Sequence, residues 1–518
     1  MSSTSRLTAG LVVAVLCGVV GATISSGVVL TAASSCEAVA SLAFPDAKIT
    51  ASNPVAAGAF SPPGAGAAQQ NAAFKQLPAF CRVAATLQPS RDSDIKIELW
   101  LPAANWNGKF QAVGNGGWAG SINYAAMAEA LSRGYATSST DSGHQGGAGP
   151  WMQSTDKLID FGYRAVHEMT AKSKAVAAAY FGNSPRLSYF NGCSGGGRQG
   201  LIEAQRFPDD FDGIVAGAPA LNTTGRAAFA MSIAQAVHKD EASYIPPAKY
   251  PLIHNAVLDA CDALDGVKDG VLENPKQCRF DPKVLECRSG DAATCLTAPQ
   301  VESVRTSYAA LMKSADARSR QEIFPGLEPG SELGWATFAS PQPFGLAAQM
   351  YQYMVFKDPN WDYKTLDFDR DIALTDKIEN GIINAVNPDL SRFFARSGKL
   401  IHYHGWSDPQ ITPMSSVKYY NSVLEKMGGA GKVKESYRLF MVPGMAHCGG
   451  GDGTSTFDMV SALETWVEKG KAPDQIAASR VRGGATDRTR PLCPYPQVAK
   501  YTGTGSTDEA KNFRCAAP

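Results

Sequence analysis

Three short stretches of this chain each place a chemically active side chain in a turn. Gly192-Cys193-Ser194-Gly195-Gly196 has the spacing Gly-x-Ser-x-Gly, in which a serine sits on a strained bend between a strand and a helix and the flanking glycines permit that bend. Asp408 lies in Gly405-Trp406-Ser407-Asp408-Pro409, and His447 in Pro443-Gly444-Met445-Ala446-His447-Cys448. A serine hydroxyl is a poor nucleophile until a base takes its proton. An imidazole titrates near neutrality and can pass that proton to a leaving group. A carboxylate holds the imidazole tautomer and stabilises its cation. Singly, these residues also fit an ordinary Gly/Ser loop, a turn before proline and a loop histidine. Together they predict Ser194 as nucleophile, His447 as base and Asp408 as its partner. His144 and His167 precede the serine, His238 and His254 fall in an interrupting segment, and His402 and His404 read as core or supporting residues beside Asp408.

The elements that must deliver these residues are strands with loaded C-terminal ends. Residues 94–101, 109–113, 134–140, 187–190, 213–217, 399–404 and 437–442 read as strands, and 127–133, 161–180, 198–206, 414–427 and 461–469 as helices. This alternation predicts an α/β fold with a mainly parallel sheet. Each candidate follows the end of a strand, where open α/β sheets place their sites, and the order Ser, Asp, His is that of α/β-hydrolases. The loop Gly114-Asn115-Gly116-Gly117 could present backbone N–H groups to an oxyanion, so Gly195 and Gly117 are the expected oxyanion hole. The alternation stops over residues 221–386, which read as an inserted lid. The core is therefore expected in two parts, 36–220 and 387–518. Residues 53–68 read as a surface loop, and the tail through Cys493 and Cys515 as loop-like.

With 48 basic and 48 acidic residues, the chain has no general attraction for nucleic acid or anionic membranes, and a small-molecule partner is expected. Arg6 followed by the uncharged run from Leu7 to Ser35 reads as a signal peptide over residues 1–35, with an uncleaved anchor as the rival reading. Export, secreted or periplasmic, follows, with no membrane association after cleavage. Beyond Cys17 in the leader, ten cysteines remain, an even number that points to disulfides. Cys193 adjoins Ser194 and Cys448 adjoins His447, so a productive Ser–His contact brings both thiols within disulfide reach. In CDALDGVKDGVL, residues 261–272, three aspartates and two glycines could surround a hard cation, although the spacing is not that of an EF-hand and no glutamate closes it.

The pairs Cys193-Ser194 and His447-Cys448, with Asp408 between them, form a CS-D-HC set, and GNGG, TDSGH, GAPA and VFKDPNWD accompany it. In these motifs the mature chain resembles the tannase and feruloyl esterase family, whose members include an enzyme that hydrolyses mono(2-hydroxyethyl) terephthalate. The resemblance implies an α/β-hydrolase core, a large inserted lid and hydrolysis of aromatic carboxylate esters by a serine esterase. It implies the pairings Cys36–Cys81, Cys193–Cys448, Cys261–Cys278, Cys287–Cys295 and Cys493–Cys515. It also implies a structural calcium held by Asp262, Asp265 and Asp269 side chains and the carbonyls of Val267 and Val271, with no organic cofactor. For the substrate, esters of hydroxycinnamic, gallic or related acids are expected, with a terephthalate monoester as an alternative. The aromatic run Phe344, Tyr351, Tyr353, Phe356 and Trp361 belongs to the lid; Phe356, with Ile411 beyond Asp408, is a candidate substrate contact. At Ile411 the terephthalate-ester hydrolase carries an aromatic residue. A non-catalytic, calcium-dependent binding module, or a peptidase or acyltransferase on the same core, remains as a rival.

Overall fold

The apolar runs pair into one sheet in the computed structural model, which describes residues 35–63, 72–313 and 321–518. The expected leader, with Cys17, lies outside the described residues. The strands are β1 (Ala47–Val55), β2 (Phe80–Leu87), β3 (Ile95–Pro102), β4 (Lys109–Val113), β5 (Ala136–Thr140), β6 (Leu187–Cys193) and β7 (Gly213–Gly217). Then come the short β8 (Leu311–Met312) and β9 (Glu322–Phe324), followed by β10 (Lys399–Gly405) and β11 (Tyr437–Val442). Nine of them form the sheet β1-β2-β3-β5-β4-β6-β7-β10-β11. From β5 to β11 every pairing is parallel, while β1, β2 and β3 extend the sheet antiparallel. β4, β5 and β7 are buried along their whole length, because helices cover both faces of the parallel part.

On one face, the helices Ala165–Phe181, Gly195–Arg206 and Pro413–Met427 pack Met169, Leu201, Ile202, Val417 and Val423 against β3, β4 and β11. On the other, helix Met459–Lys469 packs Leu463 and Trp466 against Tyr189, Val215 and Ile401. Residues 221–386 assemble a separate apolar core around Phe229, Trp335, Phe338 and Tyr351, joined from the sheet side by Trp118, Met152 and Phe161. This inserted segment leaves and re-enters the core at one point, where the Ala385 N–H donates to the Leu221 carbonyl at 2.7 Å.

Two parts of the chain differ from the sequence reading. Residues 53–55 belong to β1, an edge strand that carries Pro54 and an irregularity between Ile49 and Ala51. Such features are tolerated only at an edge, and they hid the strand from a pattern search. The tail is two hairpins, not a loop: β12 (Ile476–Arg482) with β13 (Ala485–Leu492), and β14 (Val498–Tyr501) with β15 (Phe513–Ala516). Their exposed positions mix Ala477, Val481 and Ala485 with Arg482, Thr486 and Asp487, while Arg488 and Arg490 are buried, so apolar alternation is weak. Cross-strand pairs such as Arg480 with Asp487 take its place.

The first turn of the helix after β6 presses on its neighbours through glycine. A Cβ on Gly197 would meet the Gly217 carbonyl oxygen at 2.2 Å, and one on Gly192 would meet the Gly196 backbone at 2.7 Å. Gly197→Ala is therefore expected to destabilise the fold by about 1–3 kcal/mol, seen as a lower urea midpoint with an unchanged slope.

Candidate active site

Ser194 stands between β6 and the helix Gly195–Arg206, with φ 63° and ψ −120°. Its N–H donates to the Gly217 carbonyl at 2.9 Å, and its carbonyl accepts the Ala220 N–H at 3.1 Å. Strand β7 thus holds the bend from both sides, and the strain is fixed by hydrogen bonds that any alternative backbone would lose. Helix formation begins at once, so Gly195 supplies one of the unpaired N–H groups of the first turn.

The loops after β10 and β11 interlock. The Ser407 N–H donates to the Met445 carbonyl at 3.0 Å, and a Cβ on Gly405 would strike that carbonyl oxygen at 2.2 Å. This contact brings the imidazole of His447 onto Asp408, with Nδ1 at 2.7 Å from Oδ2. The other ring nitrogen, Nε2, is left for proton transfer. Asp408 is fully buried. Burial alone would raise its carboxyl, but hydrogen bonds from His404 and His447, with the charge of His447, hold it well below the usual carboxylate range. Its Oδ1 accepts the N–H groups of Gln410 at 2.8 Å and Ile411 at 3.0 Å.

Five disulfides join Cys36–Cys81, Cys193–Cys448, Cys261–Cys278, Cys287–Cys295 and Cys493–Cys515. Cys193–Cys448, with Cα atoms 6.0 Å apart across a sequence separation of 255, ties the serine turn to the histidine loop. The glycine loop lies against the same turn: the Gly117 nitrogen is 3.2 Å from where a Cβ on Gly195 would stand. Asn115 and Gln199, which the motif reading passed over, lock that loop. The Asn115 N–H donates to Gln199 Oε1 at 3.0 Å, and the Asn115 amide donates to the Thr140 carbonyl at 2.8 Å. His144 is not near the triad in role: its Nε2 donates to the Trp118 carbonyl at 2.9 Å and its ring stacks on Trp151.

Ile411 is buried, contributing its N–H to Asp408 and its carbonyl to His404. Phe356 stacks on Trp361 and Tyr351 in a packing cluster of the inserted segment. The inserted segment reaches the glycine loop elsewhere, where the Trp118 Nε1–H donates to the Leu346 carbonyl at 2.8 Å and the Leu346 side chain meets Gly117. Arg226 is a second residue that sequence did not flag. It is buried over the Phe344 ring, and its Nε has no partner among the described residues. Burial lowers its guanidinium to about 10, against the opposing charge of Asp408.

Two clusters could hold a cation. In the 261–272 loop, Asp265, Val267, Asp269 and Val271 line one cavity of about 30 Å³ together with Glu273, Arg488 and Arg490. Glu273, just beyond the loop, lines the same cavity, and its carboxylate accepts the Ala499 N–H at 2.6 Å. Asp262 braces the turn by accepting the Gly270 N–H at 2.9 Å. Separately, His167, Glu203 and Asp210 bring one ligand atom each within 4.8 Å of one another, a buried grouping that could take a metal ion. There, burial and the Asp210 charge push the Glu203 carboxyl well above its usual range, and His167 Nδ1 already bonds Asp210 at 2.6 Å. A proton on Glu203 satisfies that geometry equally well.

A sheet of this topology, with a serine on the turn after β6 and a His–Asp pair on the loops after β10 and β11, defines a hydrolase of α/β-hydrolase-like fold. The family described as tannase and feruloyl esterase matches residues 81–516, and the chain belongs to it. An uncharacterized esterase of Xanthomonas campestris is 37% identical over 94% of this chain and 93% of its own length. A probable feruloyl esterase B-1 of Aspergillus oryzae is 35% identical over 84% of each chain. The crystal structure of feruloyl esterase B from Aspergillus oryzae superposes with a TM-score of 0.84 at 33% identity, covering 93% of this chain and 99% of that one. Tannin acyl hydrolase from Aspergillus niger shares the fold, with a TM-score of 0.75 at 23% identity.

Proposed function

We propose that this esterase cleaves esters of aromatic carboxylic acids through an acyl-enzyme on Ser194. The observation that carries the reading is the 2.7 Å bond from His447 Nδ1 to Asp408, on a loop covalently joined to the serine turn. His447 Nε2 takes the Ser194 proton as Oγ attacks the ester carbonyl. The N–H groups of Gly195 and Gly117 receive the oxyanion. The same nitrogen then protonates the departing alcohol, activates water, and the acid is released as the serine is restored. Residues 221–386 act as a lid, in which Leu346 is seated on the glycine loop and Gly334 lies against Pro409 beside the acid. The names of the feruloyl esterase relatives support a hydroxycinnamic acyl group.

One observation favours a second reading: Arg226, a buried cation over the Phe344 ring whose Nε has no hydrogen-bond partner among the described residues, suits a substrate that keeps a free carboxylate, such as a terephthalate monoester. Both readings meet one experiment. The purified protein is given feruloyl, galloyl, chlorogenate and terephthalate monoesters, and the released acids are identified. Hydrolysis confined to aliphatic esters or amides would overturn the aromatic assignment.

The 261–272 loop fits a structural calcium. Four of the five expected ligands line one small cavity, and all donors are oxygens, as a hard cation requires. Asp262, Asp265 and Asp269, with the carbonyls of Val267 and Val271, would hold the ion, and the Cys261–Cys278 disulfide brackets the loop. The ion would fasten the lid and takes no part in the reaction. At a calcium concentration a hundredfold above Kd, stability should rise by about 3 kcal/mol. A chelator-treated protein with an unchanged melting temperature would remove the assignment. Five disulfides support an oxidising compartment for the mature protein, so export is part of the proposal. Among the described residues, no helix is long and apolar enough to cross a membrane.

A further inference from the structure

Behind the Asp408 carboxylate runs a line of side chains closed to solvent: Tyr437, His402, Ser416 and His404 are each 0% exposed, as is Asp408 itself. Tyr437 Oη is 2.7 Å from His402 Nδ1, and His402 Nε2 is 2.7 Å from Ser416 Oγ. Ser416 Oγ is 2.6 Å from His404 Nδ1, and His404 Nε2 is 3.1 Å from Asp408 Oδ2 and 3.0 Å from the Ile411 carbonyl. Two strands and a helix supply the members: β10 gives both histidines, β11 gives Tyr437, and helix Pro413–Met427 gives Ser416.

The direction of this line follows from counting protons. His404 Nε2 faces two oxygens that only accept, so it carries a hydrogen. Its Nδ1 is then bare and receives the Ser416 hydroxyl proton. Ser416 has one proton to give, so its oxygen accepts from His402 Nε2–H. His402 Nδ1, bare in turn, accepts from the Tyr437 hydroxyl. Burial holds the His402 ring neutral and keeps the Tyr437 phenol protonated. The reverse direction would require a doubly protonated His404 and would strip the Tyr437 proton of its acceptor. Every donor is therefore used once, and the line ends on Oδ2, the oxygen that also receives His447 Nδ1–H.

We propose that His404 is a positioning residue for the catalytic carboxylate, held in its donor tautomer by Ser416, His402 and Tyr437. With Gln410 and Ile411 on Oδ1, and His404 and His447 on Oδ2, the carboxylate cannot rotate away from the imidazole. His404 also draws on the charge of the oxygen it shares with His447, which limits how strongly Asp408 favours the imidazolium. The proposal rests on the triad reading given above.

The test compares two substitutions. His404→Leu removes the donor, whereas His404→Gln keeps an N–H at similar reach. The charged and titratable groups facing Asp408 are His447, His404 and Arg226, and only the second changes. For His404→Leu, kcat should fall roughly 10- to 100-fold with KM within about twofold. The acidic limb of kcat/KM should move to higher pH by about 0.5 or more, because the less-shared carboxylate stabilises the His447 cation. His404→Gln should recover most of both. An acidic limb that stays in place in a folded Leu variant overturns the proposal, whatever happens to kcat. Should His404→Leu fail to fold, ¹⁵N NMR of the histidine-labelled native protein decides: His404 and His402 must each show a bare Nδ1 and a protonated Nε2. The opposite tautomer, or a cationic His404, overturns the inference. The NMR result does not depend on catalysis, and Ser194→Ala run alongside shows separately whether the triad reading stands.

Discussion

Ester hydrolysis by the Ser194→Ala protein is expected to fall by about 10⁴-fold or more, with the melting temperature close to that of the parent. The serine side chain has no structural duty in the turn: the bend is held by its own backbone, through the Gly217 carbonyl and the Ala220 N–H, and by the glycines around it. Removing Oγ thus removes the nucleophile and leaves the oxyanion donors and His–Asp pair standing. A fluorophosphonate probe should label the parent at Ser194 and leave the variant unlabelled. Residual turnover within tenfold of the parent would show that another group attacks the ester. A non-catalytic binding module would show neither labelling nor turnover in the parent.

The second large effect concerns the bond between the nucleophile turn and the base loop. Replacing Cys193 and Cys448 together by alanine is expected to cost about 3–5 kcal/mol of stability, because the crosslink closes a separation of 255 residues. It should also lower kcat, by roughly ten- to a hundredfold. Asp408 and the Met445 contact still place the histidine loop coarsely, but the distance from imidazole to Ser194 is no longer fixed covalently. Activity and thermal unfolding of the double variant, measured at a temperature where it remains folded, separate the two losses. A variant that is less stable yet fully active would confine the disulfide to a structural part. The other four bridges join cysteines that are consecutive in the mature chain, whereas Cys193 must pass over Cys261, Cys278, Cys287 and Cys295 to meet its partner. The double variant is therefore also the one expected to refold with the least help from a disulfide isomerase.

Much of the site is legible in the sequence because each of its main residues sits in turn chemistry that is local. Gly192, Gly195 and Gly196 announce the bend, Pro409 follows the acid, and Cys448 marks the base. The parallel strands are legible for the same kind of reason, since burial on both faces makes them continuous apolar runs. Edge and tail strands are not: β1 carries a proline, and β12 and β13 mix charged, polar and small residues, with an Arg480–Asp487 pair between them, which leaves no apolar period to read. The roles of Arg226, Asn115 and Gln199 are equally hidden, and for His404 the sequence shows a core or supporting place beside Asp408 but not its partners. Each depends on what a distant stretch places beside it: Phe344 beside Arg226, Ser416 beside His404, Thr140 beside Asn115. Glu273 escaped because its place in the cavity beside Asp265 and Asp269 also needs Ala499, far along the chain, whose N–H its carboxylate accepts.

The hydrogen bond between Ala385 and Leu221 has an evolutionary reading. A segment whose two ends meet at one point can be lengthened, rewritten or exchanged without moving the strands on either side, since neighbours β7 and β10 keep their parallel register whatever lies between them. The proposed lid and the triad can thus vary independently so long as a transplanted segment still meets the sheet side, bringing carbonyls to Trp118 and Arg198. A chimera carrying a relative's insertion between these two residues would inherit that relative's choice of ester while keeping this chain's triad.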